Sequence, residues 1–349
     1  MSIRHSVLQL FVAALALVGM VVPAPAQDAV AQFYQGKQIR LLIGSSAGGG
    51  YDTYARAIAR YLPKYIPGNP TIVPVNMPGA GSKAATSNLY AVAPKDGTVI
   101  GAIFPGAIME PLLGTKGPVK YDPKKLIYLG SATRDVYLCI ARTDSPVKSF
   151  NDVLSKELTV GSSAAGASTH DFPALLDNVV GAKFKVVSGY PGSHEILLAI
   201  EKNEVQGVCG VAWPSITAQH MRWLTENFAK IIVQESAVGH PEMNKMGVPL
   251  AVSFAKTPEQ RQILELVYSQ TTFGRPYALP PDVPADRVAA LRKAFFAVLS
   301  DKDLLADATR MHLDISPLHG EEMQALIGKL YSTPPELVQK AKAALVYHK

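Results

Sequence analysis

Ile39-Arg-Leu-Leu-Ile43 runs directly into Gly44-Ser-Ser-Ala-Gly-Gly-Gly-Tyr-Asp52, and this junction decides the fold. The first half is a continuous apolar run with strand character, and the second is a glycine-rich turn. A helix is predicted from about Asp52, because Tyr54, Ile58 and Leu62 recur at helical spacing before Pro63 and Pro67-Gly68 end it. Outward from here the same unit recurs: a strand at Thr71 to Val75, a helix at Ser82 to Val92, and a strand at Thr98 to Phe104. Alternation at this spacing predicts α/β architecture, a mostly parallel sheet flanked by helices.

The logic restarts downstream. Strands are predicted at Leu158 to Val160, Phe184 to Val187 and Val205 to Val211, with helices at Ser168 to Val180 and Ser193 to Lys202. Leu126 to Ser131 and Tyr137 to Ala141 are extended stretches suited to crossing between two lobes. The chain returns near Val267 to Arg275 and finishes with helices at about Ala285 to Ser300, Glu321 to Tyr331 and after Pro334-Pro335. Roughly 320 residues after a leader exceed what one core organises, so two lobes are expected. Residues 27–132 with 267–349 make the first, and residues 133–266 the second.

Residues 1–26 carry the pattern of a secretory leader. Arg4 and His5 precede the apolar run from Val7 to Val22, and Ala24-Pro25-Ala26 supplies a small-x-small cleavage site. The run is too short for a membrane span, and no Cys at the cleavage point argues for a lipid anchor. The expected location is the periplasm, as a monomer. A hydrophobic fraction of 48% with 18% charged residues excludes a disordered chain. Net charge is +6, or +5 once Arg4 leaves with the leader, and its scattered Lys and Arg exclude a nucleic-acid arm. Cys139 and Cys209 sit in apolar strand-like runs where unpaired buried thiols are expected, although an oxidising compartment leaves pairing open. No Cys/His spacing resembles a metal site, and no cofactor is expected.

Three loops sit between a strand and a helix: Gly44–Asp52, Gly161–Thr169 and Gly189–Ser193. In open α/β sheets ligands bind beyond the carboxyl ends of the strands, where such loops lie. Helix starts have N–H groups without internal partners, which suits an anion. Two facing lobes then form a carboxylate clamp of neutral donors, since none of these loops holds a Lys or Arg. Serines and threonines there also fit plain helix caps, and His170 and His194 read better as capping or solvent-facing residues than as anion donors. Tyr51 and Trp213 are candidates for stacking on an aromatic acid, with a core role equally open for Trp213. Gly44-Ser-Ser-Ala-Gly48 fits the G-x-S-x-G nucleophile elbow, so an exported serine hydrolase using Ser46 is the alternative. That fold places earlier strands before its elbow, and here the motif closes the first strand. Gly79-Ala-Gly81-Ser-Lys-Ala84 fits a dinucleotide fingerprint, but Phe104-Pro-Gly106 stands where its acidic residue belongs.

The ordered set of motifs resembles the periplasmic receptors of tripartite tricarboxylate transporters, the Bug family. Carrying the resemblance are Ile39–Ile43 with Ala47-Gly-Gly-Gly-Tyr-Asp52, Asn76-Met-Pro-Gly-Ala-Gly81, Pro94-Lys-Asp-Gly97, Tyr121-Asp-Pro123, Gly166 and His170, and Tyr190-Pro-Gly-Ser193. It implies a two-lobed periplasmic binding protein fold of type II character, hinged by crossover strands and closing on a ligand. It also implies a non-catalytic role, a small organic carboxylate as ligand and a two-subunit inner-membrane permease as partner. By position, Ser46, Ala47, Gly48, Gly49, Gly50, Tyr51 and Asp52 form one side of the site. Ser163, Gly166, Ser168, Thr169, Tyr190, Gly192 and Ser193 form the other. The chain departs from the family at Gly44-Ser-Ser46, where Pro-Phe is usual, and at Tyr51, where Thr or Ser is usual. Both changes alter the pocket wall, so no particular substrate is carried over.

Overall fold

The computed structural model describes residues 25–114, 119–217, 220–236 and 238–348. The expected leader lies outside them except for Pro25 and Ala26, which open the first helix. The chain runs α1 (Pro25–Tyr34), β1 (Gln38–Ile43), α2 (Gly50–Tyr61), β2 (Thr71–Asn76), α3 (Lys83–Ala91), β3 (Val99–Ala102), α4 (Pro105–Leu113) and β4 (Ile127–Ser131). It continues with β5 (Tyr137–Arg142), α5 (Phe150–Val153), β6 (Leu158–Ser162), α6 (Ser168–Val180), β7 (Phe184–Ser188), α7 (Ser193–Glu201), β8 (Gly207–Ala212) and α8 (Trp213–Thr217). The rest is α9 (Met221–Thr225), β9 (Ala229–Glu235), α10 (Pro241–Lys245), α11 (Pro258–Tyr268), β10 (Pro276–Leu279), α12 (Ala285–Val298), α13 (Lys302–Arg310), β11 (Leu318–His319), α14 (Gly320–Leu330) and α15 (Pro335–Ala344).

Two sheets result, ordered β11-β4-β10-β3-β1-β2 and β7-β6-β8-β5-β9. Each is parallel in its strand-helix-strand portion, as in β1 with β2 and β3, and β6 with β7 and β8. Antiparallel strands insert where the chain changes lobe: β10 beside β3 and β4, and β5 beside β8 and β9. The cause is geometric. A strand that enters from the cleft runs away from it, opposite to strands that end at the cleft. Leu126 to Ser131 and Tyr137 to Ala141 therefore belong to the sheets, and the crossing itself is confined to residues 132–136. The return, expected near Val267 to Arg275, passes through the end of α11 and a 3-10 turn at Ser269–Phe273.

Period-two alternation distributes the strand residues over distinct cores. In β1, Ile39, Leu41 and Ile43 join one cluster with Tyr54, Ile58 and Phe295, whereas Leu42 faces Leu89, Val99 and Ile108. In β5, Leu138 and Ile140 pack with Ile196, Trp213 and Trp223, whereas Tyr137 and Cys139 face Phe172 and Val233. Burying each large side chain contributes about 2 kcal/mol. The cluster holding Leu42 and Cys139 runs continuously between the lobes through Met109, Phe273, Tyr268 and Ala341. Trp213, considered for stacking on a ligand, is core.

Cys139 and Cys209 form a disulfide between adjacent strands, against the expectation of unpaired thiols. Register shifts next to Cys139, and Gly210 adopts φ +68°, so a bulge brings the two sulfurs together. The last helix also departs from its expected place on the first lobe alone. α15 packs mainly on α11 and also on α4 and α6. Beyond it, the Tyr347 hydroxyl accepts from Val186 N (2.8 Å) and donates to Phe184 O (3.1 Å) on the edge strand β7. No described helix is long and apolar enough to cross a membrane.

Candidate functional site

Residues that follow β1, β3, β6, β7 and β8 line one cavity between the sheets. Its wall includes Tyr51, Phe104, Pro105, Gly106, Tyr137, Ser163, Ser168, Thr169, Gly192, Ser193, Gly210, Ser215 and Gln270. Four helices, α2, α4, α6 and α7, begin there, and none has a side-chain cap. Each start carries a partial positive charge of about half a unit. No described lining residue is charged.

Each wall has its own bracing. On the β1 side, Asp52 accepts from Gly48 N (2.9 Å), Arg56 Nε (2.9 Å) and Asn76 Nδ2 (2.8 Å). Burial alone raises its carboxyl, but these donors outweigh burial and hold it below the usual range. Asp52 is thus a brace for the glycine loop and does not line the cavity. Tyr51 does, and its hydroxyl donates to Gly274 O (3.1 Å) and bonds Tyr137 Oη (2.9 Å). Its ring lies against Phe104, with centroids 4.1 Å apart.

On the β6 side, Ser163 N donates to Thr169 Oγ1 (3.2 Å), and Ser168 Oγ donates to Gly210 O (2.7 Å). The bulge frees Gly210 from the ladder, and its N–H donates to Glu235 Oε2 (2.5 Å). A side chain at Gly210 would meet Ser168 O at 2.1 Å, so both positive φ and close approach demand glycine. Glu235 is fully buried, and burial pushes its carboxyl up to about 8 although the Gly210 N–H opposes the rise.

The structure thus brings Tyr51, Ser163, Ser168, Thr169, Gly192 and Ser193 together in the cavity wall. Gly49 and Gly50 lie just behind, where added side chains would meet Ser193 Oγ (3.3 Å) and Ser215 Oγ (2.3 Å). Ala47 and Gly48 are exposed outside the wall. Ser46 also lies outside it, and its Oγ donates to Glu195 Oε2 (3.2 Å), not to an imidazole as an elbow nucleophile would. Gly166 N donates to Asp171 (3.0 Å), and Tyr190 turns away to Glu204 (3.4 Å). Sequence reading missed Phe104 to Gly106, Tyr137, Gly210 to Ala212, Ser215 and Gln270 as wall residues. Phe104-Pro-Gly106 and Gly210-Val-Ala-Trp-Pro-Ser215 carried the signal, since each also joins a strand end to a helix start.

The lobes touch across the cavity. Besides Ser46–Glu195 and Tyr51–Tyr137, Lys83, paired with Glu110 at 2.8 Å, reaches Ala165 O at 3.5 Å. The enclosed space is about 40 Å³, far below the roughly 300 Å³ at which small-molecule pockets begin. Among the described residues, no group of three or more His, Cys, Asp and Glu is placed to hold a metal ion.

No family model matches the sequence. The chain is 28% identical over 224 residues to the UPF0065 protein in the gbd 5′ region of Cupriavidus necator, covering 62% of this chain. That match spans 66% of the relative, just under two thirds of its length. The fold matches that of the periplasmic binding protein BugD with a TM-score of 0.70 at 20% identity, covering 89% of this chain and 98% of BugD. It matches MatC from Rhodopseudomonas palustris, solved with bound malate, with a TM-score of 0.66 at 20% identity, covering 89% and 99%. The architecture is therefore that of two-lobed periplasmic binding proteins.

Proposed function

We propose that the chain is a periplasmic solute receptor of the tripartite tricarboxylate transporter group. Its lobes, divided near residues 133 and 267, close on a small organic carboxylate and present it to a two-subunit inner-membrane permease. The observation that carries this reading is the convergence of four uncapped helix starts and several hydroxyls on one interlobe cavity without a charged lining residue. Such donors stabilise an anion without the desolvation cost of burying a cation in the wall. The malate in MatC is a ligand of the proposed class. Ser46 Oγ bonds the Glu195 carboxylate and not an imidazole, so the Ser–His pairing of an elbow nucleophile is not formed, which supports binding without turnover.

The test is a thermal-shift and calorimetric screen of the protein, without residues 1–26, against malate, adipate and benzoate. At least one acid is expected to raise the melting temperature by mass action. Ester hydrolysis lost on Ser46→Ala, with no acid bound, would replace this reading by the serine hydrolase.

A further inference from the structure

The one fully buried cation among the described residues lies directly behind the cavity wall. Arg275 is 1% exposed, and its guanidinium stacks over the rings of Tyr51 (4.0 Å) and Tyr54 (4.8 Å). Its Nη2 reaches Ser215 Oγ at 3.5 Å. Tyr51 and Ser215 are both wall residues. On its far side Arg275 meets Asp135, with Nε 3.1 Å from Oδ2 and both side chains essentially inaccessible. Asp135 lines a different cavity, together with Arg134, Thr271 and Asp314. The two charges sit on the two crossings of the chain between lobes, with the positive end toward the cleft.

Hydrogen bonding does not explain the pair. Arg275 Nε and Nη1 lack a hydrogen-bond partner, and so do both carboxylate oxygens of Asp135. The contact is ionic and poorly directed. A buried ion pair is weak evidence for stability, because apolar residues of similar volume often serve as well or better. What apolar residues cannot supply is a field.

We infer that Arg275, backed by Asp135, is a positioning residue for the bound anion, a buried dipole whose positive end strengthens carboxylate binding through Tyr51 and Ser215 without touching the ligand. The inference rests on the carboxylate reading. It adds a charged contribution to a wall made of neutral donors, since a charge beyond a hydroxyl in a low-dielectric interior still acts at that range.

The experiment is calorimetry with malate, adipate and benzoate on wild type, Arg275→Lys, Arg275→Gln, Asp135→Asn and the double variant Arg275→Met with Asp135→Asn, each checked for folding by circular dichroism. Charge retention in Arg275→Lys is expected to keep affinity within about threefold, and the neutral variants to lose about tenfold or more. Asp135→Asn alone, which unmasks the cation, is expected to bind about threefold tighter. A purely structural role predicts the opposite for that variant. Folded neutral variants that bind like wild type, or an Arg275→Lys as weak as Arg275→Gln, overturn the inference while leaving the carboxylate reading intact. A folded wild type that binds none of the three acids overturns that reading and this inference with it.

Discussion

Gly50 shows how a single hydrogen decides whether the lobes meet. Its position at the first turn of α2 puts a hypothetical Cβ 2.3 Å from Ser215 Oγ and 3.2 Å from Ser215 Cα on the opposing lobe. Gly50→Ala is expected to leave each lobe folded and to weaken carboxylate binding about tenfold or more, because one methyl holds the cleft open. Unchanged affinity by calorimetry would show that closure tolerates the methyl. Gly49 is a gentler site than the triple glycine implies. Its φ is −77°, so a side chain there is unstrained, and the left-handed member of the run is Gly48 at +82°.

At the same scale, Glu235 fixes a pH dependence. Its folded carboxyl lies near 8 against an unfolded value of 4.5. Between those values the folded state keeps a proton that the unfolded chain releases, so stability falls as pH rises through the window. Asp135, raised by burial to about 6, acts in the same direction. Glu235→Gln keeps an acceptor for the Gly210 N–H and removes the larger titration. The melting temperature of wild type is expected to drop between about pH 5 and pH 8, and that of the variant to drop less. Equal slopes would mean that Glu235 is ionised in the fold.

Among the elements, β5 and β8 gain a covalent tie that their sequences hid. Cys139 and Cys209, 70 residues apart, are joined where a bulge shifts the pairing register. Periodicity located both strands but carries no information about cross-strand register, so the pairing was not legible. Closing a loop of that size restricts the unfolded chain by about 4 kcal/mol in the chain-entropy picture. No free thiol is expected without reductant, and reduction is expected to lower the denaturation midpoint while leaving the protein folded in buffer. Two alkylatable thiols in the unreduced native protein would contradict the bridge.

Other elements were legible for a plain reason. α2 and α6 combine an apolar face with strong stop signals, Pro63 after α2 and Gly181 at φ +79° after α6. The lobe-crossing strands misled because a continuous apolar run reads the same in a linker and in a sheet centre. The cavity wall was half legible. Loops announced by consecutive glycines were found, whereas Phe104 to Gly106 and Gly210 to Ser215 present the same strand-to-helix geometry with fewer glycines. Gln270 and Tyr137 reach the cavity only through tertiary folding, and no local pattern marks them.

For the whole molecule the decisive quantity is the 40 Å³ between the lobes. That space is too small for a molecule such as malate or adipate, so the lobes are expected to separate about residues 132–136 and the return after α11 to admit one. Polar contacts to be broken include Ser46 with Glu195, Tyr51 with Tyr137, Lys83 with Ala165, Arg275 with Ser215 and Thr217 with His312. α15 resists free separation, because it packs on α4 of one lobe and on α6 of the other. The motion expected is a hinge at the cleft with α15 as its back wall. Small-angle scattering is expected to give a smaller radius of gyration at saturating carboxylate than without it. An identical radius in both conditions would mean that ligand enters by local loop motion alone.

The strand order also dictates when each part of the chain is able to fold as it leaves a ribosome or a translocation pore. Strands β5 to β9 are consecutive, so the sheet they form is complete once Glu235 has emerged. The other sheet begins with β1 but is joined in the middle by β10, which alone links β4 to β3, and its edge waits for β11. The first strands made are therefore held open until nearly the last are delivered. The segment synthesised second is able to complete its sheet first, whereas β1, β2 and β3 pair early but leave one edge of β3 open in the meantime. Such late closure leaves the β3 edge and the separate strand β4 waiting until Pro276–Leu279 arrive to join them.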